Sequence, residues 1–236
     1  MTQGFDLVEG VAAGLEDRAA AWWFVQDFAE HWVAPLGEDD GWAEADLAAA
    51  EERLGVRLPA ALREAYGLFG RRPDLTANHD VLLGPADLRI DEDGKVLVFR
   101  AENQGAAAWG VLLDDLHRPD PAVLIETGGT WKPWLDRLSV ALVELVLSES
   151  LHAPEGRSDH LEPLGDETLH LVEEQYVQLP FPDYPVGSEQ PGSRWFAGDD
   201  VLLRVDGGDF LYARALTPEA LADLRKALPG DWLNGE

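Results

Sequence analysis

The stretch Ala50-Glu51-Glu52-Arg53-Leu54-Gly55-Val56-Arg57-Leu58-Pro59 stops one helix and starts another within a few residues. Leu47, Ala50 and Leu54 share one face of a helix beginning near Glu44, and Gly55 supplies the left-handed residue that closes it. Pro59 suits the first turn of the next helix, where its missing N–H costs nothing. Leu62, Tyr66 and Phe69 follow at spacings of four and three until Gly70 ends that helix too. The pattern predicts two short helices packed as a corner.

Upstream, Leu15, Ala19, Trp22, Phe28 and Trp32 predict a single opening helix over residues 5–33, with Trp23, Phe24 and Val25 broadening its apolar stripe. Pro35 and Gly37 end it, and Glu38-Asp39-Asp40-Gly41 reads as a boundary, so residues 1–41 are expected to be a helical extension. Such a helix is either a flap over a core or an exposed interaction element. Downstream, Val81-Leu82-Leu83, Leu88-Arg89-Ile90, Lys95–Phe99, Ala107–Leu113 and Ala122–Ile125 read as strands. Their short turns favour antiparallel pairing. A long helix is predicted from Pro133 to Leu151, carrying Trp134, Leu138, Leu142, Leu145 and Val146 on one side.

After residue 152 the sequence predicts a strand near Leu169–Val177, then strands at Trp195–Ala197, Val201–Val205 and Phe210–Ala215. Thr217-Pro218-Glu219 starts a final helix with cap, first-turn proline and acid in order. The expected class is α+β, a mostly antiparallel sheet packed with helices. The extension is followed by one domain over 42–236, with its core at 42–152 and C-terminal strands and helix at 153–236.

The chain has 236 residues and a formal net charge of -27, from 45 acidic and 18 basic side chains. An apolar fraction of 46 % argues for a packed core in spite of that charge. No basic stretch exists that could follow a phosphate backbone, so direct nucleic-acid binding is not expected. The acidity either keeps the protein soluble or steers a cationic partner. The absence of cysteine excludes disulfides and thiolate catalysis. No apolar run approaches a membrane span, and Met1–Asp6 lacks a basic segment followed by an apolar one, so no membrane association and a cytoplasmic location are expected.

No catalytic, cofactor-binding or metal-binding motif stands out. The six histidines form no His-Glu-x-x-His pattern, and Asn78-His79-Asp80 reads as a solvated polar loop. Asp91-Glu92-Asp93-Gly94 lacks the downstream ligands of a calcium loop and reads as a hairpin turn. Glu102, Asn103 and Gln104 are the polar group to single out: their side chains either satisfy backbone groups at a sheet end or line a partner-binding edge. In the second case Trp131 and Trp134 would be its aromatic anchors.

The order Glu51…Leu54-Gly55…Leu58-Pro59…Tyr66, then Leu82-Leu83…Leu88, Glu102-Asn103-Gln104-Gly105…Trp109-Gly110, Asp120-Pro121…Val123 and Trp134 resembles the SUKH superfamily over roughly residues 42–152. That superfamily includes bacterial immunity proteins and a fungal regulator of cell-wall synthesis. Members often carry an Asn-Gly turn where this chain has Leu68-Phe69-Gly70. The resemblance implies a non-catalytic binding domain, most often an immunity protein that neutralises a cognate toxin, here a basic and nuclease-type one. The alternative is a regulatory scaffold for an endogenous protein.

Overall fold

In a computed structural model, which describes residues 5–154, 156–186 and 189–234, eight α-helices pack with two six-stranded, wholly antiparallel sheets. The class is α+β. The opening segment is a helical hairpin, α1 (Leu7–Glu16) and α2 (Arg18–Phe28), continued by a π-helical turn at Ala29–Val33. The single helix predicted over 5–33 breaks because Asp17 is extended and caps α2, its carboxylate accepting from Ala20 N at 3.0 Å. Trp22 and Arg18 both donate to Glu64 on α4 and so fasten the hairpin to the helical corner.

That corner is α3 (Glu44–Leu54) and α4 (Ala60–Phe69), joined through the left-handed Gly55 as the sequence predicts. Glu51 holds the connection, accepting from Leu58 N, Arg57 and Arg63; burial raises its pKa, but these partners together take it below the usual carboxylate value. The acidic stretch at 38–41 is clasped rather than loose. Trp42 N donates to Tyr66 O and Arg71 N to Asp40 O, both at 2.8 Å, while Arg72 bonds Asp40. A Cβ on Gly41 would overlap the Gly67 carbonyl. Gly41→Ala is therefore expected to cost about 1–3 kcal/mol by forcing backbone apart, read as a fall in the urea midpoint at unchanged m-value.

After a short α5 (Pro73–Thr76), the first sheet is β1 (Val81–Leu82), β2 (Arg89–Ile90), β3 (Val96–Ala101), β4 (Ala107–Leu112), β5 (Val123–Thr127) and β6 (Thr130–Leu135). Its order is β1-β3-β4-β5-β6, with β2 also on β3. Gly128 and Gly129, at φ 59° and 79°, turn β5 back into β6, so Trp131 and Trp134 stand on a strand and the long helix starts later than predicted. That helix, α6 (Leu138–Leu151), is capped from a distance: Asp120 accepts from Ser139 N at 2.8 Å and from Arg137 Nε at 2.9 Å. Every residue of α6 is buried, so it is a central rod rather than a one-sided closing helix.

The second sheet comprises β7 (Ser158–Leu161), β8 (Val177–Gln178), β9 (Tyr184–Val186), β10 (Glu189–Ala197), β11 (Val201–Asp206) and β12 (Phe210–Ala215), in the order β7-β12-β11-β10-β8 with β9 on β10. Where a strand was predicted at 169–177 there is a helix, α7 (Asp166–Gln175), whose first turn carries Asp166 and Glu167 and whose Thr168 and Val172 turn inward at a four-residue spacing. The final helix is α8 (Pro218–Ala227), capped by Thr217 as predicted.

Two buried cores result. The first runs from Leu7 through the helical layer, the inner face of the first sheet and α6 to Trp195 and Leu202 on the second sheet. The other lies between the opposite face of the second sheet and α7 and α8, from Leu161 to Trp232. α6 thus sits where the two sheets meet, and its polar side chains decide what that junction contains. No helix among the described residues is long and apolar enough to cross a membrane.

Candidate functional site

α6 turns Glu144, Ser148 and Glu149 into the junction, and each sheet answers with an arginine. Arg100 on β3 is 3 % exposed and reaches Glu144 at 2.9 Å, Asp80 at 3.0 Å and Glu149 at 3.6 Å, with its guanidinium 4.2 Å from the Trp109 ring centre. Arg204 on β11 donates to Ser148 Oγ at 2.6 Å, and Ser148 Oγ donates to Glu144 Oε1 at 2.6 Å. Glu144 Oε1 also accepts from Tyr184 OH at 3.0 Å, and Trp195 Nε1 donates to that hydroxyl at 2.6 Å. Arg204 Nε lies 3.0 Å from Asp206 Oδ2 but is misaligned for a hydrogen bond. Register places Trp195, Arg204, Tyr212 and His160 in one row across four strands, so Arg204 lies between two aromatic faces.

At one end the network is bordered by two loops whose His79 and Asn103 are exposed. Glu149 accepts from His79 N at 2.6 Å and Asp80 N at 3.1 Å, fixing the Asn78–Asp80 segment over the C-terminal end of α6. Burial pushes the Glu149 carboxyl up to about 7, against the opposing pull of Arg100 and the His79 N–H. The His79 ring stacks on His152 at 4.1 Å. Burial takes His152 down to about 3, helped by His79 and Arg204.

The residues singled out in the sequence are divided by this geometry. Glu102 Oε2 accepts from Gln104 N at 2.8 Å and Ala106 N at 2.9 Å, so it pins the β3–β4 hairpin at the sheet end. Asn103 Nδ2 lies 3.1 Å from His79 Nδ1, which brings the Asn78–Asp80 and Glu102–Gln104 loops together. Gln104 is exposed, its backbone N–H serving Glu102. Trp131 pairs across the strand with Glu126 and donates to Asp91 Oδ2 at 3.2 Å on the outer face of the sheet. Trp134 is 8 % exposed on the inner face, edge-on to Trp109 and Tyr184. The two tryptophans therefore do not share a surface. Asp91 Oδ1 accepts from Lys95 N and Val96 N, the bonding of a hairpin turn.

A different tryptophan is exposed. Trp23 on α2 shows 66 % of its surface and is the only aromatic among the large exposed apolar side chains of the described residues. It lines a cleft of about 380 Å³ with Asp6, Glu9 and Asp27. That cleft shares Phe5, Asp6 and His31 with a second of about 560 Å³, which runs to Val177 (57 % exposed) and Asp199 at the edge of the second sheet. The two clefts adjoin at Phe5, Asp6 and His31 as a trough, lined by Trp23 in one part and Val177 in the other, with Asp6, Glu9, Asp27 and Asp199 as its carboxylates.

No family model, curated protein or solved structure matches this chain. Its chemistry must be read from these residues alone. Trp23 was legible only as one of three residues overfilling a helical stripe, the signal that one of them faces outward. Arg100, Arg204, Glu144 and Glu149 carried no local signal, because what unites them is the meeting of two sheets over one helix.

Proposed function

We propose that the protein is a non-catalytic binding protein that captures a cationic protein partner in the trough between Trp23 and Val177. The observation carrying this reading is Trp23, exposed among Asp6, Glu9 and Asp27. An indole face flanked by carboxylates suits a lysine or arginine side chain, which gains charge attraction and cation–π contact at once. Residues 1–41 hold nine acidic side chains and one basic, and that basic one, Arg18, is engaged with Glu64. Long-range attraction then raises the encounter rate, and burial of the indole on binding sets the lifetime.

The finer reading is an immunity protein of SUKH type acting in the cytoplasm on a basic, nuclease-type toxin. Its support is the order of elements over residues 42–152: the helical corner, the antiparallel sheet, then a long helix. Capture from the native cell at low salt, with wild-type, Trp23→Ala and Leu233→Ala proteins side by side, tests it. Leu233 is as exposed as Trp23 but lies outside the trough. A basic protein retained by wild-type and Leu233→Ala and lost from Trp23→Ala supports the proposal. Loss of a hot-spot tryptophan is expected to weaken binding by about 2 kcal/mol or more, roughly thirtyfold. Identical profiles from all three proteins would refute it, and an endogenous housekeeping protein as the Trp23-dependent species would point to a regulatory scaffold instead.

A further inference from the structure

We propose that His79, Asp80 and Glu102 form a binding site for a divalent metal ion of the zinc class. One ligand atom from each lies within 4.8 Å of the others. Tetrahedral coordination at zinc needs donors about 3.4 Å apart, so a contraction of at most about 1.4 Å closes the site. His79 is exposed, and supplying it takes a shift of the ring from its stack on His152 and its contact with Asn103.

The arrangement holds Asp80 ready. Its backbone N–H is fixed by Glu149, its Oδ2 by Arg100 at 3.0 Å, and the residue is 8 % exposed. Yet Asp80 Oδ1 is buried without a hydrogen-bond partner, a costly state for a carboxylate oxygen that a cation would relieve. Glu102 spends Oε2 on Gln104 N and Ala106 N, which leaves Oε1 available. Charge argues the same way: even without Glu149, Asp80, Glu144 and Asp206 outnumber Arg100 and Arg204 in the buried network, and Glu102 adds another carboxylate beside it. One imidazole and two carboxylates match zinc or a neighbouring transition metal better than the all-oxygen sets of calcium or magnesium. Three protein ligands leave a position for water or for an incoming group. Asn103, beside the His79 ring, would orient that ring once its amide turns to let Oδ1 accept the N–H of the ring nitrogen not on the metal.

The ligands come from two loops separated in sequence by strands β1 to β3, so no short spacing marks the set. The inference does not rest on the partner-binding proposal, since the trough and this site share no residue.

Calorimetric titration of Zn²⁺ into the chelator-treated full chain, in excess Mg²⁺ to occupy diffuse acidic surface, tests it. The expected result is one saturable equivalent, weakened by about tenfold or more in both His79→Ala and Glu102→Gln, and unchanged in His170→Ala. His170 is a surface histidine beside Glu174 and serves as the control. His79 is exposed, so its replacement should leave the far-ultraviolet circular dichroism intact, and His79→Gln provides a second test. Absence of a saturable equivalent, or equal affinity in wild-type, His79→Ala and Glu102→Gln, would overturn the proposal.

Discussion

Arg100→Met is expected to destabilise the fold by about 3–5 kcal/mol, the range for removing one partner of a buried ion pair. The guanidinium alone reaches from the first sheet to Asp80, Glu144 and Glu149. Without it those carboxylates keep their burial and lose their nearest cation, only Glu144 retaining Arg204, and the Trp109 face loses its charge contact. Methionine fills much of the stem's volume, so the loss reports charge rather than a cavity. For a chain of this length the melting temperature should fall by roughly 6–20 °C. Arg100→Lys restores the charge but cannot bridge three carboxylates with a fork, so it should recover only part of the loss. Urea unfolding of the three proteins decides the matter; a loss below about 1 kcal/mol in Arg100→Met would mean that the network contributes little.

The second large effect is expected at Trp195, which is fully buried where both sheets face α6. Trp195→Ala should cost about 3–5 kcal/mol through lost burial and a residual cavity beside Phe181 and Arg204. Trp195→Phe separates packing from hydrogen bonding. It retains most of the apolar area but removes the N–H that donates to Tyr184, and about 1 kcal/mol should be lost. Equal stabilities for the alanine and phenylalanine variants would contradict the packing account.

Local signals carried much of the architecture. Gly55, Pro59, Thr217-Pro218 and the turn at Asp91–Gly94 act within a few residues, and the elements they bound lie close to where the sequence puts them. The misplacements share a cause. Asp17 breaks the opening helix through a single side-chain cap, and Gly128-Gly129 converts the start of the expected long helix into a strand by permitting two positive φ angles. At Leu169–Val177 the apolar residues Leu169, Leu171 and Val172 satisfy both periods, and the acids of the first turn decide for helix.

The candidate sites were less legible for a different reason. Glu102 and Asn103 stood out as a polar loop, but their neighbour His79 is brought to them only by folding. Trp131 and Trp134 lie three residues apart, and it is the strand they share that sends one to the outer and the other to the inner face. Trp23 could be called exposed only once its neighbours Trp22, Phe24 and Val25 had been assigned to the core.

The central claim is that an acidic trough anchored by Trp23 holds a cationic protein. The most direct measurement is the association and dissociation kinetics of the captured partner with wild-type and Trp23→Ala protein, at low and at high ionic strength. The account predicts that salt lowers the wild-type association rate by about tenfold or more, and that Trp23→Ala mainly accelerates dissociation. An association rate indifferent to salt, together with unchanged dissociation in Trp23→Ala, would contradict it.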